Sequence, residues 1–324
     1  MGKMKGLITG GAGFIGSHLA EALIAGGNSV TVVDDLSTGV LQNLDPLQSH
    51  ASFRFVSGDV CDEKLMAPLM EQCDVIFHLA AAVGVDLIVK KPVHTISTNI
   101  HGTEVVLGLA NKFRKKTVIT SSSEVYGKST KMPFGEEDDV VLGSTRFSRW
   151  SYACSKMIDE FLALAYHEEF RLPVFVCRLF NTIGPRQKGD YGMVVPRFVR
   201  KALKNEPIEV YGSGKQTRCF CHVRDIVKAL IKFPETPAAV GDVINLGNEE
   251  PVTIRELAER IVRLTGSKSG LRLVSYEQAY GRPFDDMLER VPDLSKARRL
   301  LDYQPSHTLD QTLREIIEYE RSPN

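Results

Sequence analysis

The sequence lacks any apolar run that approaches the ~18–20 residues of a membrane-spanning helix. Its first residues, Met1-Gly2-Lys3-Met4-Lys5, lead directly into a short strand pattern, without the apolar segment and small-residue cleavage site of a signal peptide. We therefore expect a cytoplasmic protein that has no membrane as a partner.

An excess of charge of either sign is also missing. Lys plus Arg and Asp plus Glu number 40 each, so the formal net charge at pH 7 is +0. A balanced chain has no overall field to attract nucleic acid, and an anionic substrate would need local basic groups instead. We expect no nucleic-acid partner.

The six cysteines lack the spacing of a metal site. None forms a Cys-x-x-Cys pair, and Cys219-x-Cys221 is too close for an ordinary zinc knuckle and has no second pair. We expect reduced thiols, as in cytosolic proteins, and no bound metal.

The first half of the chain alternates strand and helix patterns. Nearly continuous apolar runs at 5–9, 29–33, 53–56, 74–79, 116–121 and 173–178 are separated by helix-length segments such as 14–26, 97–112 and 152–170. Alternation of this kind predicts an α/β fold, a Rossmann-type doubly wound parallel sheet buried on both faces.

The second half is less regular and predicts a smaller lobe. Residues 179–221 are rich in Gly, Pro, Arg and Lys, and a helix pattern follows at 223–232. A chain of 324 residues is also longer than one hydrophobic core usually organises. We predict a Rossmann domain of residues 1–178 plus 222–249, and a smaller mixed α/β lobe of residues 179–221 plus 250–324.

A glycine-rich turn joins the first strand to the first helix. Gly10, Gly13 and Gly16 form G-x-x-G-x-x-G, and small residues there permit a tight turn and close approach of a pyrophosphate. The helix N-terminus adds free N–H groups and partial positive charge. The turn, including Phe14 and Ile15, therefore predicts a dinucleotide site.

Two acidic residues follow later strands of the same unit. Asp34 ends the second strand about 20 residues after the glycines, where a carboxylate binds the adenosine ribose hydroxyls. It would repel a 2′-phosphate, so NAD is predicted rather than NADP. Asp59, before Val60, follows the third strand and is a candidate for the adenine.

A second group of residues suggests proton chemistry. Ser121-Ser122-Ser123-Glu124-Val125-Tyr126-Gly127 ends a buried strand, and Tyr152-Ala153-Cys154-Ser155-Lys156 opens a helix. Tyr152 and Lys156 are four apart and share a helix face. An ammonium beside a phenol favours the phenolate, so we expect the Tyr152 pKa to fall toward neutrality. Such a tyrosine can take a hydroxyl proton while hydride leaves to a nicotinamide.

Over nearly its whole length the chain resembles the extended short-chain dehydrogenase/reductase family, which acts on nucleotide-sugars. The resemblance rests on the motifs above and on His78-Leu79-Ala80-Ala81, Asn99, Asn181, Gly184-Pro185-Arg186, Gly214-Lys215-Gln216-Thr217-Arg218 and Asn245-Leu246-Gly247. It implies that residues 1–178 plus 222–249 bind NAD and that the second lobe binds a nucleotide-sugar, most simply a UDP-sugar, in a homodimer.

The resemblance also implies roles for individual residues. The cofactor residues would be Gly10, Gly13, Phe14, Ile15, Gly16, Asp34, Asp59, Val60, Leu79, Ala80, Ala81, Asn99, Tyr152 and Lys156. Substrate would contact Arg149, Asn181, Arg186, Arg197, Arg218 and Arg282, with arginine forks on phosphate oxygens. The catalytic residues would be Ser122, Ser123, Glu124, Tyr152, Lys156 and Arg290.

Finer motifs bear on the reaction. Ser122-Ser123-Glu124, Arg149-Trp150-Ser151-Tyr152 and Glu289-Arg290-Val291-Pro292-Asp293 are similar to UDP-glucuronate decarboxylases, whereas Gly281-Arg282-Pro283-Phe284-Asp285 is closer to 4-epimerases. In a decarboxylase Arg290 would position the sugar and deliver protons, and Glu124 would favour carboxylate loss by like-charge repulsion.

UDP-glucuronate decarboxylation is the reaction that these motifs favour. Three alternatives stay open. They are a UDP-hexose or UDP-uronate 4-epimerase, an NDP-sugar dehydratase with Glu124 as the base at C5, and a non-catalytic NAD-binding regulator. A regulator would be expected to lack the pair formed by Tyr152 and Lys156.

Overall fold

A computed structural model of the chain describes residues 3–84, 88, 90–189, 192–281 and 285–322. Its strands are β1 Lys5–Thr9, β2 Ser29–Asp34, β3 Phe53–Ser57, β4 Val75–His78, β5 Lys116–Ser122, β6 Val174–Leu179, β7 Thr182–Ile183, β8 Ile208–Tyr211, β9 Thr217–Cys219, β10 Cys221–His222, β11 Val243–Leu246, β12 Pro251–Thr253 and β13 Leu271–Val274.

Helices alternate with these strands. The α-helices of the described residues are α1 Phe14–Ala25, α2 Glu63–Gln72, α3 Pro92–Phe113, α4 Arg149–Phe170, α5 Val194–Leu203, α6 Val223–Lys232, α7 Ile254–Thr265, α8 Tyr276–Tyr280, α9 Ser295–Leu301 and α10 Leu309–Arg321. Short 3₁₀ helices span Leu41–Leu47, Ser123–Tyr126, Phe233–Glu235 and Pro237–Ala239. No helix among the described residues is long and apolar enough to cross a membrane.

In the described part of the chain, seven parallel strands form the central sheet in the order β11-β6-β5-β4-β1-β2-β3. The direction of winding reverses between β1 and β4, and open sheets of this kind bind ligands outside the carboxyl ends of the strands at that point. The predicted Rossmann-type fold is therefore confirmed, and the fold itself locates the site.

Apolar cores cover both faces of the sheet. On one face Leu19 and Leu23 of α1 pack with Ile226 and Leu230 of α6. On the other face α2, α3 and α4 contribute a second cluster that includes Met66, Val106, Leu107 and Ala163. Burial on both sides explains why the strands read as continuous apolar runs.

A separate core organises the second lobe, and residues 294–303 lie outside it. Helices α5, α7 and α10 pack together around Phe198, Leu257 and Leu313. Leu294, Ala297, Leu301 and Tyr303 instead pack into the core of the first lobe, although the sequence assigns residues 250–324 to the second. The reason for this packing is the contact of α9 with β11 at the sheet edge, and the domain boundaries given above stay a prediction.

A buried ion pair attaches α4 to the sheet. Arg178, at the end of β6, donates from Nη2 to Glu160 Oε2 at 2.7 Å and from Nε to Glu160 Oε1 at 3.0 Å. Ser121 on β5 donates to the same carboxylate, and the Arg178 guanidinium lies 4.8 Å from the centroid of the Tyr126 ring. Because both charges are shielded from water, each requires the other.

We predict that Arg178→Met will lower the free energy of unfolding by about 3–5 kcal/mol, because it leaves the Glu160 carboxylate buried and unpaired. Arg298→Met is the matched control, since Arg298 pairs with Glu249 at the surface and its loss should cost about 1 kcal/mol or less. Urea unfolding monitored by circular dichroism measures both. Equal losses in the two variants would contradict the anchoring role of the buried pair.

Candidate active site

A continuous cleft of about 670 Å³ lies between the two lobes at the carboxyl ends of the central strands. Every predicted site residue that the structure describes lines its wall, with the exception of Asn99. Arg282 lies outside the described residues. The cleft therefore gathers side chains that the sequence separates by more than a hundred positions.

The glycine turn is shaped to admit a pyrophosphate. Gly10 has φ +70°, and a β-carbon there would lie 2.7 Å from the backbone nitrogen of Ala80. A β-carbon on Gly16 would lie 2.4 Å from the Gly10 carbonyl oxygen. Only glycine fits at these two positions, so the backbone faces the cleft at the N-terminus of α1. The cradle fits a dinucleotide phosphate.

Asp34 supports this turn and faces the cleft. Its Oδ2 accepts a hydrogen bond from the Ala12 nitrogen at 2.9 Å, and its Oδ1 accepts one from the Leu36 nitrogen at 2.8 Å. Burial raises the pKa of Asp34, while these two N–H donors oppose the rise. A carboxylate has about four acceptor positions, so two are left for ribose hydroxyls. Asp59 lies beside it on the cleft wall.

Asn99 stands behind the cleft wall rather than on it. Its Oδ1 accepts from the Ala82 nitrogen at 2.7 Å, and its Nδ2 donates to Ser155 Oγ at 3.1 Å. The side chain is 1% exposed. Asn99 thus ties the segment after β4 to helix α4, and its contact with a cofactor stays a prediction.

Tyr152 and Lys156 both face the cleft from α4. The Lys156 ammonium, however, donates to Asp159 Oδ2 at 2.7 Å, a partner that the sequence analysis missed. Burial raises the pKa of Tyr152, and the opposing effects of Lys156 and a hydrogen bond with Ser122 do not overcome it. The expectation of a tyrosine pKa near neutrality is therefore wrong for the protein alone, because the site is buried and the carboxylates of Glu124 and Asp159 add to the rise.

The floor of the cleft at the substrate end is a cluster of three guanidiniums and two carboxylates. Glu124 Oε1 lies 2.8 Å from Arg290 Nη1, and its Oε2 lies 3.2 Å from Arg149 Nη2. Asp286 Oδ1 lies 3.3 Å from Arg149 Nη1 and 3.1 Å from Arg218 Nη2. The five groups leave one net positive charge, which suits an anionic substrate.

The electrostatics of this cluster favour full ionisation of its carboxylates. Burial alone would raise the pKa of Glu124, but Arg149 and Arg290 outweigh it and hold the pKa below its usual range. Burial, with Arg290 adding to it, lowers the pKa of Arg218 to about 10. An incoming phosphate or carboxylate would relieve the cost of that buried cation.

Two further arginines that the sequence predicts as substrate residues, Arg186 and Arg197, lie outside this cluster and have other partners. Arg186 Nη2 pairs with Glu21 Oε1 on α1 at 2.7 Å, and its Nη1 donates to Ser17 Oγ at 3.3 Å, so it lies at the cofactor end of the cleft. Arg197 lies 3.8 Å from the centroid of the Tyr211 ring, and its Nε is buried without a hydrogen-bond partner.

Three residues of the site escaped sequence reasoning. Asp159 could have been predicted from the sequence, because its spacing places it on the same helix face as Tyr152 and Lys156. Asp286 and Tyr276 could not, since they follow irregular sequence and meet only in the fold, where the Tyr276 hydroxyl donates to Asp286.

One group of possible metal ligands lies in the described residues away from the cleft, formed by His222, His307 and Glu315. His222 Nδ1 accepts from the Arg224 nitrogen at 3.0 Å as a helix cap, so Nε2 carries the proton and donates to Glu315 at 3.3 Å. A metal at Nε2 would need that proton on Nδ1, where an N–H already points. The arrangement is that of a helix cap.

Comparison with known proteins places this geometry in context. The family model described as GDP-mannose 4,6 dehydratase matches residues 7–316. The chain is 42% identical to UDP-N-acetyl-alpha-D-glucosaminuronate decarboxylase of Bacillus cytotoxicus over 98% of each chain. It is 36% identical to UDP-glucuronic acid decarboxylase 1 of Xenopus tropicalis, covering 97% of this chain and 72% of that protein.

Among solved structures, the chain is similar to the UDP-glucuronic acid 4-epimerase of Bacillus cereus in complex with UDP-glucuronic acid and NAD. The TM-score is 0.88 at 28% identity, and 98% of each chain is covered. The Bacillus cytotoxicus decarboxylase and the Bacillus cereus epimerase are thus each matched over 98% of their own length, one in sequence and the other in structure.

We expect the preference for NAD over NADP to depend on Asp34. Asp34→Asn should narrow the preference for NAD over NADP by about tenfold, because it removes the anion that repels a 2′-phosphate. Asp45→Asn is the control, since Asp45 is exposed, accepts from Gln48 and does not line the cleft. Titration of both variants with both cofactors measures the ratio. A preference for NADP in the unaltered protein would contradict the assignment.

Proposed function

Because the chain belongs to the GDP-mannose 4,6-dehydratase family, we propose that it is an NAD-dependent decarboxylase of UDP-uronates, with UDP-glucuronate as its first candidate substrate. Family membership fixes the fold, while the site has to specify the reaction. The observation that carries the proposal is the pairing of Glu124 with Arg290 and Arg149 beside Tyr152, which adds a carboxylate-handling cluster to a hydroxyl-oxidising site.

The cofactor is NAD, held by the glycine turn, Asp34 and Lys156. When bound, it supplies a hydride acceptor and a positive charge beside Tyr152. The protein supplies the rest of the chemistry through orientation and electrostatics.

Tyr152 acts on the C4 hydroxyl of the sugar. In the protein alone it stays protonated, because burial raises its pKa. Positive charge added to that of Lys156 favours the phenolate, which then takes the C4 hydroxyl proton with Ser122 as a hydrogen-bond partner. Oxidation at C4 gives a 4-keto sugar.

The 4-keto group makes the C5 carboxylate a β-keto acid, so carbon dioxide leaves as the bonding electrons enter an enolate. Arg290 Nε is buried without a hydrogen-bond partner, which suits a donor that awaits a substrate oxygen. Glu124 is already compensated by two guanidiniums, so like-charge repulsion of the substrate carboxylate is not its main role. Instead, Glu124 partly neutralises Arg149 and Arg290. The two arginines then stabilise the substrate carboxylate less before carbon dioxide leaves.

Several features support a catalytic reading over a non-catalytic regulator. Ser122, Tyr152 and Lys156 meet on one wall of the cleft, as proton chemistry requires. A 4-epimerase and a dehydratase use the same wall, and the products of the reaction separate these two from a decarboxylase.

We also propose that the enzyme is a cytoplasmic homodimer. All six cysteines are free, which fits a reducing compartment. The outer surface of α3 and α4 exposes Ile96, Ile158 and Phe161, with Phe161 69% exposed. An apolar surface on two adjacent helices suits pairing with the same surface of a second copy.

Product masses test the function directly. We expect purified protein with NAD to release carbon dioxide from UDP-glucuronate or from UDP-N-acetylglucosaminuronate, and Tyr152→Phe to lower that turnover about 10²–10⁴-fold. Loss of water would indicate a dehydratase instead. Interconversion of UDP-glucose and UDP-galactose, with no mass loss from either uronate, would overturn the decarboxylase while leaving the fold and the cofactor site intact.

Glu124 provides a sharper test of the decarboxylation step. Glu124→Gln should retain binding of UDP-glucuronate yet lower carbon dioxide release about 10²-fold, because uncompensated guanidiniums stabilise the bound carboxylate more than the transition state that disperses its charge. Glu137→Gln, at a carboxylate that is 88% exposed, is the control. Isothermal titration and single-turnover assays separate the two effects. Unchanged release would remove Glu124 from the mechanism.

A further inference from the structure

Three ionisable side chains of α4 lie in a row that runs from the wall of the cleft into the core. Tyr152, Lys156 and Asp159 are spaced by four and three residues, so they share one helix face. Tyr152 and Lys156 line the cleft, whereas Asp159 is completely buried. The proposed mechanism uses the first two, and Asp159 is so far without a role.

We propose that Asp159 is a positioning residue that offsets the charge of Lys156, so that Tyr152 becomes a base only when a further positive charge lies beside it. The inference rests on the proposed function for its catalytic meaning. The same tyrosine must take a proton when the sugar is oxidised and return it when the keto group is reduced. A site that ionises only in the presence of oxidised cofactor serves both directions.

The contact geometry carries the inference. Lys156 Nζ lies 2.7 Å from Asp159 Oδ2, and the two side chains are 3% and 1% exposed. Asp159 Oδ1 is buried without a hydrogen-bond partner, so no other donor among the described residues disperses its charge. With Asp159 present, ionisation of Tyr152 leaves the row with one net negative charge. Without Asp159, the same ionisation gives a neutral pair, which burial favours.

Other titratable groups around the row are either neutral or paired. From β4, His78 faces it with a pKa lowered to about 3 by burial, and from β6 the Cys177 thiol has its pKa raised to about 12 by burial. Glu160 is matched by Arg178. From α3 the neighbouring side chain is the uncharged Asn99.

At the cleft end of the row, the strand that precedes Glu124 contributes serines. Glu124 is paired with Arg149 and Arg290, and its charge also raises the pKa of Tyr152, but it does not contact Lys156. Asp159 is therefore the acidic group that acts most directly on Lys156. The pKa of Lys156 agrees, because burial alone would lower it and Asp159 instead raises it.

A titration without substrate or cofactor tests the inference. Tyrosinate absorption in the ultraviolet, taken as the difference between the unaltered protein and Tyr152→Phe, follows the ionisation of Tyr152 alone. The same difference between Asp159→Asn and Asp159→Asn/Tyr152→Phe follows it without the anion. We expect the Tyr152 midpoint to fall by about one pH unit in the Asp159→Asn background, the scale of a single buried charge.

Two results would overturn the inference. One is a phenolate that already forms near neutral pH in the unaltered protein. The other is an unchanged midpoint in folded Asp159→Asn. If that variant does not fold, Asp159→Ser takes its place, and the titration of the unaltered protein decides in either case. Ala163→Gly, one turn further along α4, weakens the helix without a change of charge and should leave the midpoint in place.

Turnover adds a second readout. The acid limb of the pH profile of kcat/KM should move to lower pH by about the same unit in Asp159→Asn, because the required phenolate forms more readily. A shifted titration with no carbon dioxide release from any uronate would sustain the role of Asp159 and refute the proposed reaction. Carbon dioxide release with an unshifted titration would support the proposed reaction and refute the role of Asp159.

Discussion

The buried pair between Glu160 and Arg178 is the constraint on which the site depends. It binds α4 to the carboxyl ends of β5 and β6, and every acid or base proposed for the oxidation step is carried by α4 or by the end of β5. A helix that slid along the sheet would separate Tyr152 from Ser122. The hydrophobic pattern determines which strands are neighbours in the sheet. By holding α4 against two of these strands, the pair fixes the position of the Tyr152 phenol relative to the Ser122 hydroxyl.

A second set of buried charges forms the floor of the cleft at its substrate end. Arg290 and Asp286 come late in the chain, yet they meet Glu124 and Arg149 at distances of 2.8 and 3.3 Å. Charges buried in this way are tolerated when they are matched, and the one excess guanidinium is matched when an anionic sugar nucleotide binds. The same cluster of charges therefore joins late and early segments of the chain and provides the positive charge that an anionic substrate requires.

Sequence reasoning was strongest where the determinants are local. Gly10 and Gly16 are dictated by steric contacts within one turn, and the parallel sheet follows from apolar runs of strand length. Sequence reasoning failed where the partner of a charged side chain depends on tertiary packing. The pairing of Lys156 with Asp159 looks like an ordinary exposed helix pair in sequence, and only burial reveals its effect on Tyr152. The pairing of Arg186 with Glu21 could not be predicted either, because it depends on how two distant segments meet.

The return of residues 294–303 to the core of the first lobe has a consequence for biosynthesis. Leu294, Ala297 and Leu301 share a core with Ile8, so the apolar face they cover stays open until residues 294–301 have left the ribosome. Contacts between the two ends of a chain form late and expose apolar surface until they do. The core that the N-terminal strand begins is therefore completed only by a segment that the ribosome makes long after it, and α10 completes the core of the second lobe later still.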